Sequence, residues 1–145
     1  MTADTVDHRE EEINQLVDRF VEALDAGDLA AAKSLFTPDG VVWHNFDQQA
    51  MPCATALGLL EGAAGKGMHY VVSWRHMVAD GCVQQHVVRG TGPAGELIEM
   101  PVMWRVILDG DRILRVDEYF DITQAAAILA AVGSTASVGN TPPTQ

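Results

Sequence analysis

The stretch ILRVDEYFD, residues 113–121, keeps one carboxylate among apolar side chains. Side chains alternate between the two faces of a β-strand, so Leu114, Val116 and Phe120 share a face with Glu118. An apolar cavity disfavours the charged form of a carboxylate and raises its pKa. A raised pKa brings the group nearer to general-base or general-acid behaviour at neutral pH. The spacing makes Glu118 a candidate catalytic residue.

The two hairpins that lead to this strand decide which side chains face Glu118. If both loops contain an even number of residues, Met103 and Arg105 share its face, and so do Gln84 and His86 from the preceding strand. His86 would then be the partner acid or orienter, and Gln84 would position polar atoms of a ligand. Met103 and Phe120 would line a pocket. Arg105 could instead form an ion pair with Glu118 that only braces the sheet.

The run VVWHNF, residues 41–46, is β-branched and aromatic and predicts the first strand. Trp43 and Asn45 share one face of that strand, and His44 lies on the other. Trp43 is predicted to pack in the core or line the pocket. Asn45 either holds a water or a substrate oxygen, or belongs to the turn that ends the strand.

Composition narrows the range of functions. The chain has 145 residues, 48% of them hydrophobic, which fits one compact domain with a core or an enclosed pocket. A net charge of −11 argues against nucleic acid and anionic membrane as partners, since both bind basic surfaces. The N-terminus MTADTVDHREEE lacks the basic start and apolar run of a signal peptide, so a cytoplasmic protein is expected.

Two familiar kinds of site are not indicated by the sequence. EGAAGKG differs from a phosphate-binding loop, because no Ser or Thr follows Lys66 and no glycine stands at the required upstream position. The five histidines and two cysteines show no metal-ligand spacing, and no metal site is predicted.

Periodicity and turn signals predict an α+β domain over residues 10–132, with a flexible stretch at 1–9 and a disordered Gly/Ser/Thr/Pro tail at 133–145. The expected architecture is a cone: a curved, mostly antiparallel sheet wraps the N-terminal helix and encloses an apolar pocket. Helices are predicted at 7–26, 29–36, 53–64 and 123–132, and strands at 41–46, 68–79, 82–91, 96–108 and 113–120.

Three segments, LFTPDGVVWHN, DGCVQQHVVRGTGPAGEL and DGDRILRVDEYFD, resemble the SnoaL-like branch of the nuclear transport factor 2-like superfamily. The similarity in layout covers residues 10–131. It implies a deep apolar pocket, a small apolar substrate and a homodimer, with no redox cofactor and no metal. Relatives include ketosteroid isomerases, polyketide cyclases, dehydratases and epoxide hydrolases. A non-catalytic binding or dimerisation domain is the other function that this superfamily implies.

The resemblance also assigns residue roles. WHN and DEYFD are most similar to the limonene epoxide hydrolases, in which an acid and an Asn hold the attacking water. By this resemblance Glu118 corresponds to that acid and Asn45 to that Asn. Trp43 falls on a Tyr of that family, and the family's Arg–Asp pair has no counterpart here. Similarity to ketosteroid isomerases places their first-strand base on His44. Under the register given above, the outer face of the sheet carries Trp104, Val106 and Leu108, which is too much apolar surface to leave in water. A homodimer through this face is therefore predicted.

Overall fold

The computed structural model describes residues 2–136. Along the chain come α1 Ala3–Ala26, α2 Leu29–Ser34, β1 Phe36–His44, β2 Gln49–Pro52, α3 Cys53–Gly58, β3 His69–Val78, β4 Gly81–Thr91, β5 Leu97–Asp109, β6 Arg112–Tyr119 and α4 Ile122–Ala136. Residues 3–9, expected to be flexible, are the first turns of α1. The last helix continues four residues into the predicted disordered tail, and the rest of that tail lies outside the described residues.

The six strands form one sheet in the order β2-β1-β6-β5-β4-β3. The pair β1–β6 is parallel and the other four pairs are antiparallel, which confirms the mostly antiparallel α+β prediction. Strand β2 was not predicted, because its four residues are largely exposed and show no apolar alternation. The parallel pair brings β1 and β6, far apart in sequence, side by side in the centre of the site described below.

Helix α1 lies against the inner face of the sheet and buries the apolar stripe predicted from its periodicity. The ring of Phe20 lies 5.4 Å from that of Phe36 and 5.2 Å from that of Trp104, measured between centroids. Gly27 ends the helix with a φ of +74°, a left-handed conformation that favours glycine. Its N–H donates to the carbonyls of Ala23 and Leu24.

Both register predictions were wrong, for different physical reasons. The turn after β5 has the expected two-residue loop, with Asp109 paired to Arg112, but a β-bulge at Leu114 then shifts the pairing by one residue. Trp104 therefore stands opposite Glu118, where Met103 and Arg105 were expected beside it. The same bulge removes Leu114 from the inner face.

The hairpin between β4 and β5 has an odd-length loop of five residues, 92–96, because Thr91 pairs with Leu97. The odd loop flips β4 relative to β5, and the bulge flips β5 relative to β6, so the two shifts cancel for β4. Gln84 pairs with Trp104 and His86 with Val102, so Gln84 and His86 do lie on the Glu118 face. Met103 and Arg105 lie on the outer face, where Arg105 forms an ion pair of 3.3 Å with Asp80. An ion pair between Arg105 and Glu118 is thereby contradicted.

Within residues 2–136, no helix is long and apolar enough to cross a membrane. The cytoplasmic location stays a prediction.

Candidate functional site

A cavity of about 170 Å³ lies between the inner face of the sheet, α1, α3 and α4. An apolar cavity of about 150 Å³ can hold benzene, so this one can hold a ring-sized molecule. Its walls are mainly aliphatic and aromatic. Of the described residues that line it, three besides Trp104 carry polar side-chain atoms: His44, Tyr70 and Glu118. The apolar lining comes from Phe20, Leu24, Val42, Phe46, Ala56, Leu57, Leu59, Leu60, Met68, Val88, Met100, Val102, Val116, Phe120, Ile122, Ala125, Ile128 and Leu129.

Glu118 occupies the middle of a row of three side chains on neighbouring strands. It pairs with His44 across the parallel β1–β6 contact and with Trp104 across the antiparallel β5–β6 contact. Neighbouring strands are about 4.8 Å apart, so residues in register on one face meet directly. The indole Nε1–H of Trp104 donates to Glu118 Oε2 at 2.6 Å. His44 Nε2 lies 3.6 Å from Glu118 Oε1.

The surroundings of Glu118 disfavour its charge. Burial raises the pKa of the carboxyl above its usual range, while the indole hydrogen bond and nearby His44 lower it in part. The side chain remains 23% exposed although the walls around it are apolar. Since Oε2 is held by Trp104, Oε1 is the oxygen left to exchange a proton with a ligand.

His44 is the second polar group at this end of the pocket. The residue is buried, and its Nδ1 has no hydrogen-bond partner among the described residues. Phe46 stacks on the imidazole at 5.4 Å and Phe120 meets it edge-on at 5.7 Å, so the ring is fixed in orientation. The ring therefore presents Nε2 to Glu118 and keeps Nδ1 buried.

Tyr70 on β3 lines the same pocket and was not singled out from the sequence. Its backbone N–H donates to Asp25 Oδ1 at 2.8 Å, which ties this end of β3 to α1. Burial, reinforced by the Glu118 carboxylate, raises the pKa of the phenol far above neutrality. The hydroxyl is therefore a neutral donor. The run HYVV, with Tyr followed by two β-branched residues, signals a strand but not which face is inward.

The mouth of the pocket is marked by apolar side chains that both line the cavity and remain exposed. They come from the turn after β1, from the loop after α3 and from α4, and they are Phe46, Leu59, Ile122 and Leu129. Exposed apolar side chains around a concave opening are typical of ligand entrances. An apolar molecule would enter here and meet Glu118 deeper inside.

Two of the predicted first-strand positions lie away from the pocket lining. Trp43 is on the outer face, with its ring 5.3 Å from that of Tyr119. Asn45 follows β1, and its Oδ1 accepts a hydrogen bond from the backbone N–H of Phe120 at 3.1 Å. Its own N–H donates to the Glu118 carbonyl at 3.1 Å. Asn45 thus joins the ends of β1 and β6 and fixes the backbone around Glu118.

Gln84 and His86 lie on the inner face, on β4, and neither lines the pocket. Both side chains are buried, and the amide Nε2 of Gln84 is 3.1 Å from Nδ1 of His86. Burial, followed by the charge of Arg75, lowers the pKa of His86 to about 4. His86 is therefore neutral at neutral pH and is not among the residues that line the cavity. Of the nine site residues predicted, the structure brings Glu118, His44 and Phe120 together in the pocket.

Replacing Trp104 by Phe should raise the pKa of Glu118 further, because the lost N–H stabilises the ionised carboxylate. The aromatic ring, and with it most of the core packing, is retained. A pH titration of the Glu118 carboxyl carbon by NMR measures the change. Trp74→Phe is the matched control, since it removes a comparable indole bond of 2.8 Å to Gln85 on the outer face. An unchanged Glu118 titration in Trp104→Phe would show that the indole hydrogen bond does not lower the pKa of Glu118.

The sequence profile of the SnoaL-like domain matches residues 17–116. The chain belongs to the SnoaL-like domain family. No curated protein sequence matches the chain.

Solved structures share the fold of this SnoaL-like protein. IdmH from Streptomyces antibioticus, a candidate polyketide cyclase, superposes with a TM-score of 0.70 at 20% identity, over 81% of this chain and 98% of IdmH. AclR from Streptomyces galilaeus, a candidate hydroxylase, gives 0.69 at 15% identity over 83% and 96%. A protein with a ketosteroid isomerase-like fold from Catenulispora acidiphila, in complex with trimethylamine, gives 0.66 at 15% over 88% and 97%. These likenesses show the fold of the SnoaL-like protein.

Proposed function

We propose that this SnoaL-like protein is a cofactor-independent acid–base enzyme that acts on a small, largely apolar, uncharged molecule. Glu118 is the general base, and His44 receives or returns the proton beside it. The observation that carries the proposal is the position of Glu118: one carboxylate on an apolar pocket wall, with a raised pKa and with only its Oε2 held by Trp104. Perturbed carboxylates of this kind cluster at catalytic sites.

The chemistry of the lining supports an uncharged substrate. Glu118 is the only carboxylate and no Lys or Arg side chain is present among the described residues that line the cavity. An anionic substrate would enter without a counter-ion, which is costly in apolar surroundings. A neutral molecule with one polar end would place that end near Glu118, His44 and Tyr70 and its apolar body against the remaining wall.

The geometry supports a distinct task for each polar group in the proposed reaction. Glu118 Oε1 takes a proton from a substrate carbon or from a water, and Trp104 holds the other oxygen in place. His44, 3.6 Å from Oε1, exchanges the proton with Glu118 or orients the reacting group. The Tyr70 phenol is a neutral hydrogen-bond donor. Proton transfer of this kind serves isomerisation, cyclisation, dehydration or attack by water, which are the reactions that the sequence resemblance implies.

A deuterium-exchange screen tests this proposal. The full-length protein is incubated in D₂O with a panel of small neutral compounds that carry acidic C–H bonds or epoxide rings. Deuterium incorporation or conversion is followed by mass spectrometry. Accelerated exchange or turnover with at least one compound class is expected. Saturable binding of several compounds without exchange or turnover would contradict the enzymatic proposal and favour a binding domain.

We also propose a homodimer through the outer face of the sheet, although the residues differ from those expected. Trp104 and Val106 are buried inside, so the outer face carries other apolar side chains. Trp74 is 38% exposed, Val71 is 41% exposed and Tyr119 is 51% exposed, and Trp43 lies next to Tyr119. Exposed aromatic and β-branched side chains on a sheet face are typical of protein interfaces.

Sedimentation equilibrium at micromolar concentration should therefore report a dimer. Trp74→Glu places a charge within the outer face and should shift the equilibrium to monomer. Val6→Glu, which places the same charge at an exposed apolar position on α1, should leave the dimer intact. A wild-type monomer would show the proposed interface to be wrong.

A further inference from the structure

A row of inward-facing polar and aromatic side chains crosses five strands at the level of Glu118. The register pairs His44 with Glu118, Glu118 with Trp104, Trp104 with Gln84, and Gln84 with Arg75. His44, Glu118 and Trp104 belong to the pocket wall. Gln84 and Arg75 continue the row behind Trp104 toward α1, where the proposed chemistry does not use them.

The guanidinium of Arg75 begins this second half of the row. Its side chain is 8% exposed and is anchored to α1 by Asp18 Oδ1 at 2.9 Å and Asn14 Oδ1 at 3.0 Å. Its Nε and Nη2 donate to Gln84 Oε1 at 2.9 and 2.7 Å. A guanidinium has donors only, so the atom facing it must be the amide oxygen. This pair of bonds fixes which way the Gln84 amide points.

The orientation of Gln84 in turn fixes the protonation of His86. With its oxygen on Arg75, Gln84 presents its NH₂ group to His86 Nδ1 at 3.1 Å. Nδ1 must accept, so the single proton of the neutral imidazole resides on Nε2. His86 Nε2 is buried and has no hydrogen-bond partner among the described residues. A buried polar group without a partner is costly and is retained where its position serves another purpose.

The His86 ring packs against the residue that binds Glu118. The His86 ring meets the Trp104 indole edge-to-face, with centroids 4.3 Å apart and planes at 70°. Trp104 is itself buried and places its Nε1 2.6 Å from Glu118 Oε2. Because the indole has one donor, a small rotation of the ring would break the bond to Glu118. Groups behind the reacting residues commonly lock such rotamers.

We propose that Arg75, Gln84 and His86 form a positioning chain that fixes the Trp104 indole and thereby the orientation of the Glu118 carboxylate. The proposal rests on the function proposed above in treating Glu118 as the functional group. The three residues touch no substrate. They are positioning residues, anchored to α1 at one end and acting on the pocket through Trp104 at the other.

The first test is made on the wild-type full-length chain and needs no substrate. Long-range ¹⁵N–¹H NMR of His86 should show a neutral ring with the proton on Nε2, unchanged between about pH 5 and pH 8, where an unperturbed histidine titrates. A protonated Nδ1, or a ring that titrates in this range, would overturn the proposal.

The second test uses two adjacent glutamines as a matched pair. Gln84→Met removes the link between Arg75 and His86, whereas Gln85→Met removes the outward bond to Trp74. Gln84→Met should move the Trp104 indole N–H resonance and raise the pKa of Glu118, followed through its carboxyl carbon. Gln85→Met should change neither. A folded Gln84→Met protein with both signals unchanged would overturn the proposal.

If Gln84→Met does not fold, Arg75→Lys replaces it, since lysine keeps the charge but loses the paired donation to Gln84. The same two signals decide the outcome. Because neither readout uses turnover, this test can succeed where the enzymatic proposal fails. A wild-type protein that shows the predicted His86 and Trp104 signals but no turnover would support the positioning chain and contradict the enzymatic proposal.

Discussion

Glu118→Gln should abolish turnover while leaving the folded chain at least as stable as the wild type. A glutamine cannot take up a proton as a base, and loss of general-base catalysis typically costs about 10²–10⁴ in rate. The amide keeps the shape of the side chain, and its oxygen can still accept from Trp104. The substitution replaces a buried charge by a neutral group, which removes a desolvation cost. Turnover of a compound found in the exchange screen and thermal unfolding measure the two effects.

The stability gained in Glu118→Gln should depend on pH, and the raised pKa of Glu118 sets the direction of that dependence. The pKa of Glu118 is raised from its usual 4.5 because burial disfavours the charged form. Between the unfolded and folded pKa values the folded chain binds more protons than the unfolded chain. The contribution of Glu118 to the free energy of unfolding therefore falls as pH rises from about 4.5 to the folded pKa. The advantage of Glu118→Gln in melting temperature should grow over that interval and then level off.

Asp117→Asn is the matched control, because Asp117 is the preceding residue on β6 and pairs with Arg115 away from the pocket. It should retain turnover. The competing explanation is an ion pair between Glu118 and Arg105 that braces the sheet. Removing one partner of a buried ion pair costs about 3–5 kcal/mol in stability. Arg105 lies on the outer face, so this loss is not expected. A large loss of stability in Glu118→Gln would contradict the catalytic role.

Local patterning was sufficient to find Glu118. Strand alternation over residues 113–121 placed Glu118, Val116 and Phe120 on the pocket side. Periodicity and turn signals predicted nine of the ten elements within residues 2–136. These features depend on neighbours in sequence, where side-chain periodicity acts directly. The prediction failed at Leu114, because a β-bulge inserts one residue without leaving a clear signature.

The partners of Glu118 depend on pairing between distant strands. His44 meets Glu118 through a parallel contact, which no hairpin rule predicts. The family resemblance named His44 as a candidate base but did not place it beside Glu118. The sequence placed Trp104 on the outer face, because the β-bulge that shifts β6 relative to β5 was not foreseen. Knowing that the loop at 92–96 is five residues long, with Gly95 at a φ of +80°, would have corrected one of the two registers. The register between β5 and β6 depends on the bulge at Leu114, which only the structure reveals.

Ala125→Trp should weaken ligand binding about tenfold to a hundredfold. Ala125 is a buried residue of α4 that lines a cavity of about 170 Å³, and an indole there would occupy the space of a ring-sized ligand. Burying one such apolar group contributes about 1.5–3 kcal/mol, and about 1.4 kcal/mol is a factor of ten in affinity. Fluorescence titration with a neutral naphthalene-type dye measures the loss without knowledge of the substrate. Turnover should fall in parallel.

The matched control is Ala127→Trp, which adds the same side chain to an exposed position on the same helix. It should bind the dye as the wild type does. Filling a cavity does not require the core to unfold, so Ala125→Trp should keep its melting temperature unless α4 is displaced, a change that circular dichroism reports. Equal dye affinities in the two variants would mean that the cavity behind α4 is not the binding site. Glu118, at the wall of that cavity, would then lose its proposed role together with the pocket.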